Sequence, residues 1–262
     1  MTVLGMLHDL FNTFAFMHRI IMPTLALVRH GQSQWNLENR FTGWMDVDLT
    51  ILGEEQARKS GVLLAETGVV FSQAFTSMQT RAIRTLWLAL EAMDCCWLPE
   101  EKSWQLNERH YGALTGLDKS ETIEKHGEAQ VKIWRRSYDI PPPQQDTSDP
   151  MHPVHDVRYD QVPRNDLPNG ESLAMTLARV LPYWTATIAP CLVTQNVVIS
   201  AHGNSLRAII KHLFALDATQ IMEVEIPTGN PLLIELSQEL IPMSARYLDQ
   251  ERTQKLPPLP SK

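Results

Sequence analysis

Two apolar runs in this chain break off at a histidine followed by a glycine. Leu25-Ala26-Leu27-Val28 leads into Arg29-His30-Gly31, and Val197-Val198-Ile199-Ser200-Ala201 leads into His202-Gly203-Asn204-Ser205. A neutral imidazole can attack phosphorus and hold the phosphoryl group as a covalent intermediate. A planar guanidinium such as that of Arg29 presents parallel donors to phosphate oxygens, and Gly31 lets the backbone approach a ligand closely. A histidine just before a helix start, as at His202, stands beside backbone N–H groups that favour anions. Phosphoryl transfer asks a protein mainly for positioning and for stabilisation of charge on the equatorial oxygens. His30, His202, Arg29 and Arg81 are the candidates for that work. A proton must move as well, and Glu108, in Leu106-Asn107-Glu108-Arg109-His110-Tyr111-Gly112, is the best carboxylate for general acid–base catalysis. Taken singly, each has a plainer reading. A lone histidine is more often structural, Arg81 reads as a solvated helix residue, and Glu108 reads equally well as the ion-pair partner of Arg109 or another arginine.

The elements that must position these residues follow from the pattern around them. Continuous apolar runs read as strands buried on both faces, which suits a parallel sheet. Ligands of open α/β sheets sit beyond the carboxyl ends of such strands, where both His-Gly pairs fall. Thr50 is placed to cap a helix with Glu54 and Glu55 in its first turn, running to about Glu66. Ala74-Phe75-Thr76 reads as a third strand, after which Ser77 would cap a helix that carries Arg81 in its first turn and continues to about Ala92. One helix is expected over 120–134, another from Glu171-Ser172 to about Tyr183, a third over 205–213, and a last strand over 232–236. The polar, proline-rich stretch 141–153 reads as a surface excursion within a domain, because core elements resume after it. The expectation is an α/β fold of three layers, a mostly parallel sheet with helices on both faces. One catalytic domain would cover 22–250, with a lid-like excursion at 118–165 and a disordered tail over 251–262.

Composition narrows the function classes. Net charge is −7 and the isoelectric point about 5.7, whereas a general nucleic-acid footprint would be basic. A small cationic cleft can still sit in an acidic protein. Cys95, Cys96 and Cys191 are odd in number and lack framework spacing, which argues against a secreted disulfide scaffold. Cys95 and Cys96, between Met93 and Trp97, read as buried packing. No zinc pattern is present, and no apolar run approaches the ~20 residues of a membrane span. Residues 1–21 are apolar and aromatic but carry His8, Asp9 and His18, have no Lys or Arg before Arg19, and lack a small-residue cleavage site. They read as an N-terminal extension, from an upstream start codon or as an accessory arm, and not as a secretory signal. A cytoplasmic enzyme with no membrane and no nucleic-acid partner is expected.

The segments LVRHGQSQWNLENRFTGWMDVDLT, RAIRTLW, EKSWQLNERHYGALTGLDKSET, QVKIWRRSYD, AHGNSLRAIIKHL and IPTGNPLL resemble, in order, the signatures of cofactor-dependent phosphoglycerate mutases, a branch of the histidine phosphatase superfamily. The resemblance runs from about Met22 to Tyr247. Arg-His-Gly alone would imply only the superfamily, and the segments 107–112 and 134–136 point to the mutase branch. The resemblance implies that His30 is the phosphorylated nucleophile and Glu108 the proton donor and acceptor. It places Arg29, Arg81 and His202 around the transferring group, with Asn36 and Gly203 as further donors. Thr42, Gly43, Arg109, Tyr111, Lys119, Arg135, Arg136 and Asn204 would hold the rest of the substrate. It further implies interconversion of 3- and 2-phosphoglycerate in glycolysis and gluconeogenesis, by a ping-pong mechanism at one histidine. Small-molecule phosphoglycerates would be the partners, 2,3-bisphosphoglycerate the primer, with no metal, and the chain would form a homo-oligomer, a dimer or a tetramer. Two departures stand out: Gln32 stands where many members carry Glu, and the tail after Tyr247 is short and lacks the Ala/Lys-rich ending that helps cover the site elsewhere. The nearest rival is a phosphatase of the same superfamily, disfavoured by Arg109, Lys119, Arg135 and Arg136. A catalytically silent phospho-ligand sensor would be expected to lose His30, Glu108 or His202.

Overall fold

The computed structural model describes residues 22–260, so the expected extension over 1–21 and the last two residues of the tail lie outside it. The strands are β1 (Thr24–Arg29), β2 (Gln73–Thr76), β3 (Glu100–Lys102), β4 (Val197–Ala201), β5 (Leu232–Leu236) and β6 (Pro242–Tyr247). The helices are α1 (Gln34–Leu37), α2 (Ile51–Glu66), α3 (Thr80–Ala92), α4 (Lys119–His126), α5 (Glu128–Arg136), α6 (Leu173–Tyr183), α7 (Ala189–Leu192) and α8 (Gly203–Leu213). One six-stranded sheet runs in the order β3-β2-β4-β1-β5-β6. The first four are mutually parallel, and β5 and β6 are antiparallel additions at one edge.

Side chains alternate across a strand, and β1 shows where each half goes. Leu25 and Leu27 pack with Val180 of α6 and with Leu206, Ile209 and Ile210 of α8. Ala26 and Val28 pack on the other face with Leu64 of α2 and with Leu86 and Leu90 of α3. Helices therefore cover both faces of a mostly parallel sheet, which is why β1 and β4 are apolar at nearly every position. Full burial of such a side chain stabilises by ~1.5–3 kcal/mol, and a one-residue slip would exchange the two sets, so the register is fixed from both sides. The carboxyl ends of β1 and β4 are thereby held side by side, and His30 N–H donates to the Ala201 carbonyl at 3.0 Å.

Thr50 caps α2 as expected, its hydroxyl accepting from Gly53 N at 3.1 Å. Other expectations need correction. Ser77 does not cap α3: Gln79 holds the cap position and the Ser77 hydroxyl faces His202 instead. The helix expected over 120–134 is two helices, because Gly127 adopts φ +81°, a left-handed conformation open to glycine that ends α4 and starts α5. The strand 232–236 is not the last. β6 pairs with it at the sheet edge, where half-exposed Ser244 and Ala245 and exposed Arg246 mask the apolar alternation. Strand β3, Glu-Glu-Lys, has no apolar signal at all. Cys95 is half-buried and Cys96 is exposed, so burial does not account for the pair.

From Asp118 onward the chain leaves the sheet. Val131 of α5 packs with Phe41 and Leu114. Farther on, Tyr159 stacks against Trp44, ring centroids 4.8 Å apart, in a cluster with Leu167. After β6, Arg252 donates to Asp249 and to the carbonyls of Thr228 and Gly229, which ties that part of the tail to the loop before β5. Among the described residues no helix is long and apolar enough to cross a membrane.

Candidate active site

Beyond the carboxyl ends of β1 and β4 lies a cavity of about 300 Å³. Its wall contains Arg29, His30, Asn36, Thr42, Gly43, Arg81, Glu108, Tyr111, Lys119, Arg135, Arg136, Gly203 and Asn204. Two residues expected at the site stand just behind this wall. His202 is fully buried with its ring 5.0 Å from that of His30. Arg109 is buried under Tyr111, its guanidinium 4.7 Å from the ring and donating to the Arg135 carbonyl at 3.0 Å.

The imidazole of His30 is held in one tautomer. Its Nδ1 lies 2.7 Å from the Gly31 carbonyl oxygen, which can only accept, so Nδ1 carries the proton and Nε2 keeps its lone pair. Burial first, then the charges of Arg81 and Arg29, lowers its pKa well below the ordinary value. The ring is therefore neutral at physiological pH, with the Nε2 lone pair that attack on phosphorus needs. Gly31 gives the turn its closeness: a Cβ there would lie 2.1 Å from the Gly53 carbonyl oxygen. His202 is likewise kept neutral, by burial and then by Arg81 and His30. Ser77 Oγ accepts from Gln79 N at 3.1 Å and lies 2.8 Å from His202 Nε2. The other ring nitrogen of His202, Nδ1, is buried with no hydrogen-bond partner among the described residues.

Arg81, in the first turn of α3, is almost fully buried. Its two terminal nitrogens each donate at 2.9 Å, to the carbonyls of Met45 and Gly43. Burial lowers its pKa to about 10, against the raising effect of Glu108 and Asp46, so it stays charged. Arg29 donates to the Ile226 carbonyl at 2.8 Å, and its Nε is buried without a partner among the described residues. Lys119 and Arg135 come from the excursion after β3, as does Arg136, which is paired with Glu225.

Among the described residues Glu108 pairs with no guanidinium. Its Oε1 accepts from the backbone of Arg109 at 2.8 Å, the backbone of Asn204 at 3.1 Å and the Asn204 side-chain amide at 2.9 Å. Gln79 ties the carboxylate's own backbone in place, accepting from Glu108 N and donating to the Gly43 carbonyl, both at 2.8 Å.

Several residues of the cavity were not anticipated: Arg40, Phe41, Arg207, Glu225 and Ile226. Arg40 and Phe41 lie inside the first quoted segment and Arg207 four residues after Gly203, so proximity was the one available signal. The wall thus carries Arg29, Arg40, Arg81, Lys119, Arg135, Arg136 and Arg207 against Glu108 and Glu225. In a chain of net charge −7, this is a focused cationic site for a small polyanion. Among the described residues no three His, Cys, Asp or Glu side chains cluster as metal ligands.

The profile of the histidine phosphatase superfamily, branch 1, matches residues 25–156 and 144–240. Solved structures superpose on the fold, among them a mycobacterial glucosyl-3-phosphoglycerate phosphatase in complex with VO3 (TM-score 0.65, 20% identity, 86% of this chain and 97% of that one). The YhfR protein of Bacillus stearothermophilus also superposes, with TM-score 0.63 and 20% identity over 84% of this chain and 94% of that one. Among sequences, the 2,3-bisphosphoglycerate-dependent phosphoglycerate mutase of Maricaulis maris is 59% identical over 91% of this chain and 99% of its own. That of Hyphomonas neptunium is 60% identical over 91% of this chain and 100% of its own. The chain therefore belongs to the histidine phosphatase superfamily and, within it, to the family of 2,3-bisphosphoglycerate-dependent phosphoglycerate mutases.

Proposed function

We propose that the chain interconverts 3-phosphoglycerate and 2-phosphoglycerate by carrying a phosphoryl group on His30 Nε2. The observation that carries this reading is the state of that imidazole: neutral, with Nδ1 engaged by Gly31 and Nε2 left to a cavity walled by cations. A 2,3-bisphosphoglycerate primer fits the donor set, since Arg29 Nε is a buried donor and His202 Nδ1 a buried ring nitrogen without partners among the described residues, and arginines and a lysine surround them. When bound, the bisphosphate supplies the phosphoryl group that His30 must carry before a first turnover.

The roles divide by position. His30 attacks phosphorus through Nε2 while Gly31 holds its Nδ1 proton. Arg29, Arg81 and His202 stabilise the charge that spreads over the equatorial oxygens, with Asn36 and Gly203 adding donors. Glu108 takes the proton from the accepting hydroxyl and returns it to the leaving oxygen in the reverse half. Thr42, Gly43, Tyr111, Lys119, Arg135, Arg136 and Asn204 hold the carboxylate and the second phosphate in either orientation, and Arg109 supports Tyr111 and Arg135 from behind. Glu225 must yield Arg136 when an anion enters.

The test is a coupled mutase assay on fully dephosphorylated protein. Turnover of 3-phosphoglycerate should be nearly absent alone and appear on adding a trace of 2,3-bisphosphoglycerate. Full turnover without primer would sink the reading. Release of inorganic phosphate in step with substrate loss would assign the chain to the phosphatases instead.

A further inference from the structure

We propose that Arg207 is a positioning residue which, through Asn204, fixes the oxygen of Glu108 that exchanges the proton. The inference rests on the assignment of Glu108 as the proton carrier. Arg207 lies on the second turn of α8 and is 5% exposed. Its Nη1 donates to Asn204 Oδ1 at 3.0 Å and its Nη2 to the Ile221 carbonyl at 2.7 Å. A guanidinium donates and never accepts. The Asn204 amide therefore has one orientation available, oxygen toward Arg207 and nitrogen away from it.

That nitrogen reaches Glu108 Oε1 at 2.9 Å and the Tyr111 hydroxyl at 3.5 Å. With the backbone N–H groups of Arg109 and Asn204, three donors converge on Oε1. The lone pairs of Oε1 are taken, and a proton placed there would point at an N–H. Oε2 receives no donor among the described residues, so it is the oxygen left to exchange a proton with a substrate hydroxyl. Arg81 from α3 and Tyr111 also face Glu108. Arg81 contributes charge and the Tyr111 hydroxyl accepts weakly from the Asn204 nitrogen, but neither touches the Asn204 oxygen that Arg207 holds. Around Arg207 itself stand Arg109, Arg136, Glu225 and Tyr111. Without Arg207 the Asn204 oxygen loses its buried donor, and the amide is held only through its nitrogen, by Oε1 and the Tyr111 hydroxyl, which loosens the carboxylate.

A double-mutant cycle tests this, because residues acting in one chain give non-additive losses. A charge-assisted hydrogen bond is at stake, so Arg207→Leu should lower kcat ~10- to 100-fold and leave KM for 3-phosphoglycerate within about three-fold. In an Asn204→Leu background the same replacement should change kcat by less than about two-fold. If Arg207→Leu does not accumulate folded, Arg207→Lys serves, since it keeps the buried cation but has one ammonium for two acceptors. Its loss in kcat should again vanish in the Asn204→Leu background. Equal losses in both backgrounds, or a change confined to KM, would overturn the proposal, the latter placing Arg207 directly on the substrate anion. Glu108→Gln separates the levels. If it is slow while the Arg207 variants keep full kcat, the proton assignment stands and the positioning role falls. If Glu108→Gln turns over normally, both fall.

Discussion

Arg179→Met would remove the cation from a buried pair that anchors the loop bearing Glu108. Arg179 of α6 donates to the two oxygens of Glu171 at 2.7 and 2.9 Å, and the side chains are 6% and 3% exposed. Its Nη1 also donates to the Gln105 carbonyl at 2.7 Å, with longer contacts to the carbonyls of Trp104 and Asn107, and its Nη2 reaches the Glu108 carbonyl at 3.3 Å. Glu171 in turn accepts from His110 N at 2.8 Å. Methionine fills much of the volume but strands the Glu171 carboxylate with one amide donor. Breaking a buried pair from one side costs ~3–5 kcal/mol. At ~2–4 °C per kcal/mol for a chain of this size, Tm should fall by roughly 6–20 °C. Glu171→Gln is the instructive counterpart. It leaves Arg179 its carbonyl acceptors and keeps an acceptor for His110 N, so the loss should be nearer ~1–3 kcal/mol. Thermal and urea melts at pH 7, read by circular dichroism, give both values. The reasoning fails if Glu171→Gln is the more damaging of the two, or if Arg179→Met costs less than ~1 kcal/mol.

Further expectations come from the same geometry. Gly31→Ala would place a Cβ 2.1 Å from the Gly53 carbonyl oxygen; both sides are backbone, so it should cost ~1–3 kcal/mol and displace His30, and a variant with wild-type Tm and kcat/KM would refute the close approach. His30, His110 and His202 have pKa values lowered chiefly by burial, that of His110 to about 3, from an ordinary value near 6.5. The unfolded chain thus takes up protons below pH 6.5 that the fold refuses, and stability should fall as pH drops from about 6.5, by up to ~1.4 kcal/mol per pH unit per histidine. Urea midpoints that stay level from pH 7 to pH 5 would contradict this. Glu108→Gln keeps shape without the titrating group and should lower kcat ~10²–10⁴-fold while His30 still accepts label from the bisphosphate; normal turnover would move the proton transfer elsewhere.

The parts of this molecule that the sequence displays are those where one local cause dominates. β1 and β4 are buried on both faces, so their composition alone marks them as parallel strands, and the ligand site follows at their ends. Thr50 announces α2 because its hydroxyl is the cap. What the sequence conceals depends on partners far along the chain. Ser77 looks like a cap until the strands bring it 2.8 Å from His202, 125 residues away. β3 and β6 are strands because neighbours present free backbone groups to them, and polar edge positions leave no alternation to read. Gly127 breaks a helix that periodicity runs through. Arg207 and Gln79 carry no local signal, and their contacts with Asn204 and Glu108 exist only once α8, α3 and the loop at 104–110 have come together.

The account turns on His30 as the residue that carries the phosphoryl group, and labelling tests that most directly. Protein incubated with 2,3-bisphosphoglycerate bearing radioactive phosphoryl groups, then denatured in alkali, should retain one acid-labile, base-stable phosphoryl group per chain. Peptide mapping should find it on His30. The same label should be absent from His30→Ala protein of native Tm and should pass to 3-phosphoglycerate when that is added to the labelled enzyme. Label that persists in His30→Ala, or that maps to any other side chain, would contradict the mechanism.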